Sequence, residues 1–127
     1  VPNQGSDDVK YMIMMFGSAA GMMEVQSEGW IREMIDFMMT LNKELTDNGE
    51  LVEARGLVDG ALAKTVRLED GVPVVTDGPF AESKESLIGY WVIDVENEAR
   101  AIEIAGRIIV YSGVVELRQV PDAPPEL

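Results

Sequence analysis

With 127 residues, a formal charge of −13 and neither histidine nor cysteine, the chain rules out several chemistries before any motif is read. Lacking Cys, it has no disulfide framework, thiolate zinc site or thiol nucleophile; lacking His, it also loses the commonest general base, the triad imidazole and imidazole metal ligation. Its 10 Lys and Arg form no basic run and are outnumbered by 23 Asp and Glu, so the surface repels phosphate backbones and nucleic acid is not an expected partner.

Apolar residues make up 46% of the chain, which suits one domain whose core buries roughly 65–70% of the unfolded surface. No stretch reaches the about 18 apolar residues of a membrane span, and Val1–Asp8 carries no signal-peptide pattern. A soluble, cytoplasmic protein with no membrane partner is therefore expected. Residues 1–9 read as a disordered or appended N-terminus, 10–120 as the domain, and 121–127, with its three prolines, as a loose tail.

The first element is a strand over Lys10–Phe16, nearly all apolar and stopped by Gly17. Its residues alternate sides, Tyr11, Ile13 and Met15 against Met12, Met14 and Phe16. Ser18–Gln26 reads as a loop. A helix follows from Ser27, a plausible N-cap with Glu28 behind it, to Asn48, where Gly49 stops it. Trp30, Met34, Met38, Leu41 and Leu45 form its stripe, and Ile31, Ile35, Phe37 and Met39 widen it. At about 100° per residue the apolar arc spans roughly 200°, more than one sheet face needs.

Leu51–Leu57 reads as a weaker strand. Ala63–Leu68 and Val72–Thr76 flank Glu69-Asp70-Gly71, the strongest short hairpin signal in the chain, with Pro73 marking an edge strand. Asp77-Gly78-Pro79 is a turn. Ser86–Val95 is a second strand apolar on both faces, a helix runs from Asn97 to about Ile109, and Val114–Val120 alternates as the last strand. With the hairpin set aside as an insertion, the order is βαββαβ. The predicted class is α+β, ferredoxin-like, with both helices on one face of a four-stranded antiparallel sheet. The other face should be polar if it met water, yet the first strand and Ser86–Val95 are apolar on both sides. A second copy covering that face resolves the conflict, so a homodimer is expected.

Chemistry concentrates in Val75–Tyr90, where Asp77, Glu82, Lys84 and Glu85 surround the Gly78-Pro79 turn. Pro79 locks its own φ and biases Gly78 to extended angles, which directs Asp77. Asp77 is the candidate catalytic residue, a desolvated carboxylate base or polar anchor; the competing reading is a turn residue bonded to backbone amides. Glu82 and Lys84 are candidate ligand contacts or an ion pair holding the loop. Tyr11 and Tyr90 present hydroxyls to a cleft or sit at the edge of the core. Asp47, Glu50 and Glu53 read as a solvated face rather than a metal site, and the eight methionines as core filler or a promiscuous apolar pocket. Gly56–Gly60 is not a phosphate loop, because no Lys-Ser/Thr follows. Neither a cofactor nor a metal is expected.

The run Asp77-Gly78-Pro79-Phe80-Ala81-Glu82-Ser83-Lys84-Glu85, with Leu87, Gly89 and Tyr90 after it, resembles the signature of the DGPF subgroup of the YCII-related proteins. The opening strand, the hairpin and Val115-Glu116-Leu117-Arg118 resemble that family too, so the likeness spans about Lys10 to Val120. It implies a ferredoxin-like fold, a dimeric α/β-barrel type of assembly built by sheet packing, and a cleft near the dimer interface lined partly by Asp77. Two departures matter. The His–Asp pair suspected in broader relatives has no histidine here, and Ile88 stands where a second Gly is common, which narrows any cleft. Activity in the subgroup is largely unassigned. The expected function is binding of a small molecule near the homodimer interface; the alternative is a regulatory or interaction module, since some relatives are encoded beside sigma factors of the extracytoplasmic type.

Overall fold

The computed structural model describes residues 8–18, 25–79 and 86–126. The elements are β1 (Val9–Gly17), α1 (Glu28–Asp47), β2 (Leu51–Gly56), a 3₁₀ turn (Gly60–Leu62), β3 (Lys64–Glu69), β4 (Val72–Asp77), β5 (Ser86–Val95), α2 (Glu98–Ser112) and β6 (Val115–Val120). Four strands form one antiparallel sheet in the order β2-β5-β1-β6, while β3 and β4 pair only with each other. With the hairpin set aside, this is the split βαβ arrangement compatible with a ferredoxin-like domain. The hairpin leaves the sheet after β2 and returns to it at β5.

Local chemistry fixes the ends of the elements. The Ser27 hydroxyl accepts from the Trp30 amide at 3.1 Å, satisfying a donor that the first turn of α1 leaves open. At the other end Gly49 takes φ +74°, and the Glu50 amide reaches back to the Leu45 carbonyl at 2.8 Å, a left-handed helix stop. The Asn97 side chain caps α2 through the Arg100 amide at 3.0 Å. Asp70 and Gly71 both have positive φ, +50° and +79°, as a two-residue hairpin turn of the right twist requires. α2 runs three residues past Ile109, to Ser112, and the 3₁₀ turn, capped by the Asp59 carboxylate on the Ala61 amide at 3.0 Å, carries no periodic signal.

The core lies on one face of the sheet. Tyr11, Ile13 and Met15 of β1 and Trp91, Ile93 and Val95 of β5 pack under Leu41 and Leu45 of α1 and Ala101, Ile104 and Ile108 of α2. Both helices therefore cover this side, and Trp30 and Phe37 of α1 close on Tyr111 of α2 at ring separations of 5.7 and 4.9 Å. Ile104 is fully buried, so Ile104→Ala should lose about 3 kcal/mol in denaturant unfolding, the usual transfer plus cavity cost. Met12, Met14 and Phe16, with Tyr90 and Val92 opposite them, occupy the other face and are only half-buried. Among the described residues no helix packs there, and no helix is long and apolar enough to cross a membrane.

Candidate functional site

The surplus apolar arc of α1 has a use. Leu41 and Leu45, in its second half, fill the core. In the first half Ile31, Met34, Ile35 and Met38 recur at spacings of three and four and stand above a part of the sheet that has almost no side chains. There Gly56 of β2 lies opposite Gly89 of β5, next to Ala54 opposite Trp91. The gap is a cavity of about 360 Å³, walled by those four α1 residues with Met15 and Ile88 and floored by Ala54, Gly56, Gly89 and Trp91. An apolar cavity of about 150 Å³ holds benzene, so this one has room for a two-ring molecule. Met15, Met34 and Met38 supply pliable thioether walls.

The two glycines are not equivalent. A Cβ on Gly89 would meet the Arg55 carbonyl oxygen at 3.3 Å, so close approach of β2 favours glycine there. A Cβ on Gly56 would meet nothing within 4 Å; that glycine leaves space without being needed for backbone contact. Asn42 is the polar side chain that α1 contributes to the wall, and its Oδ1 accepts from the Trp91 indole Nε1–H at 2.8 Å.

A model of the YCII-related domain matches residues 10–123. The chain belongs to that family. An uncharacterized protein of Rhizobium meliloti (strain 1021) is 31% identical over 86 residues, covering 65% of this chain and 69% of the relative. The family match, residues 10–123, takes in both helices, the hairpin and all of the sheet apart from Val9.

In this YCII-related domain Tyr11, Tyr90 and Asp77, the described residues among those singled out from sequence, do not converge. Tyr90 lines the cavity, and its hydroxyl, on the open face of the sheet, donates to Glu53 of β2, which raises its pKa above the ordinary value. Tyr11 is on the opposite, helix-covered face; its hydroxyl lies 3.5 Å from the Glu98 carboxylate, and its pKa is raised mainly by burial. Asp77 ends β4 and its carboxylate pairs with Lys64 across the hairpin, largely exposed. The turn after it is held by other groups: the Gly78 amide donates to the Ala63 carbonyl, and the Thr65 hydroxyl to the Gly78 carbonyl, both at 2.8 Å. Glu82 and Lys84, with Phe80 and Glu85, lie outside the described residues. Pro79 and Ser86, on either side of that segment, border a second, more open cleft of about 540 Å³ with Gly60 and Thr65 at the root of the hairpin. Among the described residues no group of three acidic side chains is placed to hold a metal.

Two features escaped the sequence reading. The Lys64–Asp77 pair was countable: outward from Asp70-Gly71, Glu69 pairs with Val72 and, five steps on, Lys64 with Asp77. The cavity was not countable, because it depends on the register that sets Gly56 against Gly89 and on the irregularity between Met15 and Phe16 that leaves Ile88 the extra residue on β5.

Proposed function

We propose that this YCII-related protein, whose Asp77–Glu85 run resembles the signature of the DGPF subgroup, binds a small, predominantly apolar molecule between α1 and the β2–β5 end of the sheet. The observation that carries this reading is the 360 Å³ cavity left where Gly56 faces Gly89 beneath Ile31, Met34, Ile35 and Met38. A well-formed apolar pocket with few polar groups is the usual form of a small-molecule site. Tyr90 is part of its wall, and Ile88, in the position where the family resemblance points to glycine, narrows it. In this reading Asp77 and Tyr11 stand outside the ligand's first contacts, and Asp77 serves the hairpin through Lys64.

A homodimer that covers the open sheet face belongs to the same proposal. That face has an apolar centre, Met12, Met14, Phe16, Tyr90 and Val92, and a rim that carries Lys10, Arg55 and Arg118 together with Asp94, Glu53, Glu116 and Asp122, the last bonded to Lys10 at 3.2 Å. In a chain of net charge −13 a rim with nearly equal numbers of both signs is distinctive, and a surface carrying both signs is self-complementary across a two-fold axis. The hairpin supports the same reading: Val66, Leu68 and Val75 share one of its faces with Pro73 and are 60–76% exposed.

Naphthalene is a suitable probe of the cavity. Titration of the wild type should show saturable binding at one site per chain. Gly56→Phe should abolish it, because a side chain there projects on the same face as Ala54 into open space. The variant should fold at least as well as the parent, since glycine inside a strand costs about 0.5–1 kcal/mol. Wild type that binds no naphthalene would instead favour the interaction-module reading.

A further inference from the structure

The cavity wall is apolar along α1 until Asn42, the next residue on the stripe after Met38. A tryptophan indole is a donor only, so its Nε1–H needs an acceptor, and Asn42 Oδ1 is that acceptor at 2.8 Å. This bond fixes which end of the amide faces Trp91. It leaves the Asn42 NH₂ group, two donors, without a protein partner among the described residues. The structural requirement of Trp91 accounts for the oxygen and not for the NH₂; Asp or Ser would meet it equally well. Asn42 is half-buried, so water can meet its NH₂ while the cavity is empty; a ligand that fills the cavity without an acceptor displaces that water and leaves a penalty that a ligand with an acceptor removes.

We infer that the ligand of this cavity carries a hydrogen-bond acceptor, a carbonyl or equivalent oxygen on an otherwise apolar body of about two fused rings, and that the Asn42 NH₂ selects it. This inference rests on the cavity being the binding site. Trp91 acts as the positioning residue that holds the amide in register. Asn42 is the specificity-determining contact, and Met15, Met34 and Met38 shape themselves around the apolar body.

The test uses two probes of the same heavy-atom count and nearly the same shape, 2-acetylnaphthalene and 2-isopropylnaphthalene, titrated into the full chain. The ketone is expected to bind about five- to tenfold more tightly, the ratio set by one neutral hydrogen bond. It should also move the Asn42 side-chain amide protons downfield in a ¹⁵N-correlated spectrum relative to their position with the hydrocarbon, whose ring current is nearly the same. Asn42→Asp keeps an acceptor for Trp91 but replaces the donor with a second, charged acceptor; it should lose the preference for the ketone. Equal affinity of the wild type for both probes would overturn the inference and leave the cavity reading standing. Binding of neither would overturn both. Because the comparison of probes is made on the wild type, the outcome is decided even if the Asp variant folds poorly.

Discussion

Glu50→Ala is expected to lower the stability of the domain by about 2 kcal/mol at neutral pH, and to lower it by less as the pH falls below the ordinary carboxyl range. Glu50 follows the helix stop at Gly49, and its two carboxylate oxygens accept from Arg100 Nε at 2.9 Å and Nη2 at 2.8 Å. The pair ties the end of α1 to the first turn of α2, and both side chains are mostly buried, 16% and 25% exposed. A bidentate, charge-assisted pair of this kind is among the stronger polar contacts. Removing one partner costs less here than in a fully buried pair, because Arg100 keeps Glu103.

The sign of the pH dependence follows from Glu50. The hydrogen bonds from Arg100 hold its carboxyl below the usual value of 4.5, against the opposing effect of burial. A carboxyl with a depressed folded pKa contributes stability that is fully present above its unfolded value and is lost as pH falls through the folded one. The gap between wild type and Glu50→Ala should thus be constant from about pH 7 to 5 and shrink progressively as the pH falls below the ordinary carboxyl value. Urea unfolding of the two proteins at pH 7, 5 and 3.5 measures it; at neutral pH the melting temperature should fall by about 8 °C. A gap that persists undiminished at the lowest pH would assign the loss to the turn after Gly49 and not to the charge.

The elements were legible where sequence-local rules act. Ser27 and Asn97 are caps by residue type and the structure uses both as caps. Asp70-Gly71 is a hairpin turn by dihedral demand, and both residues have positive φ. The alternation in Lys10–Phe16 separated Tyr11, Ile13 and Met15 from Met12, Met14 and Phe16, which is how the core divides them. The excess width of the α1 stripe was visible too, but not its cause. Half of that surplus encloses a space over Gly56 and Gly89, residues that carry no hydrophobic signal and lie 33 positions apart by the sequence numbering. Asn42 and Trp91 meet across 49 residues, and nothing local distinguishes that asparagine from one facing water. Asp77 shows the reverse case. Its signature run drew attention to it, while its partner Lys64 is set by plain counting along a hairpin.

Val92→Asp is expected to abolish the homodimer proposed above and leave a monomer. Val92 sits mid-sheet on the open face, between Met12 of β1 and Glu53 of β2. On a lone subunit a charge there meets water at modest cost. In the assembly it would lie between two apolar sheet centres, where an unpartnered carboxylate costs several kcal/mol, on the order of a hundredfold or more in the dissociation constant. The wild type should sediment at twice 13.9 kDa at tens of micromolar, and the variant at 13.9 kDa with an unchanged circular dichroism spectrum. Val110→Asp is the control. Val110 is 74% exposed on α2, on the helix side of the sheet, so its charge should leave the dimer intact. The rim of mixed sign adds a salt signature. Because Lys10, Arg55 and Arg118 would find carboxylates on the second copy, raising the ionic strength should loosen the dimer, whereas repulsion between two chains of charge −13 would make salt tighten it. Tightening with salt would mean that the rim contributes little and the apolar centre carries the association. A wild type that sediments as a monomer, or a Val110→Asp variant that dissociates while Val92→Asp does not, would place the second copy elsewhere or remove it.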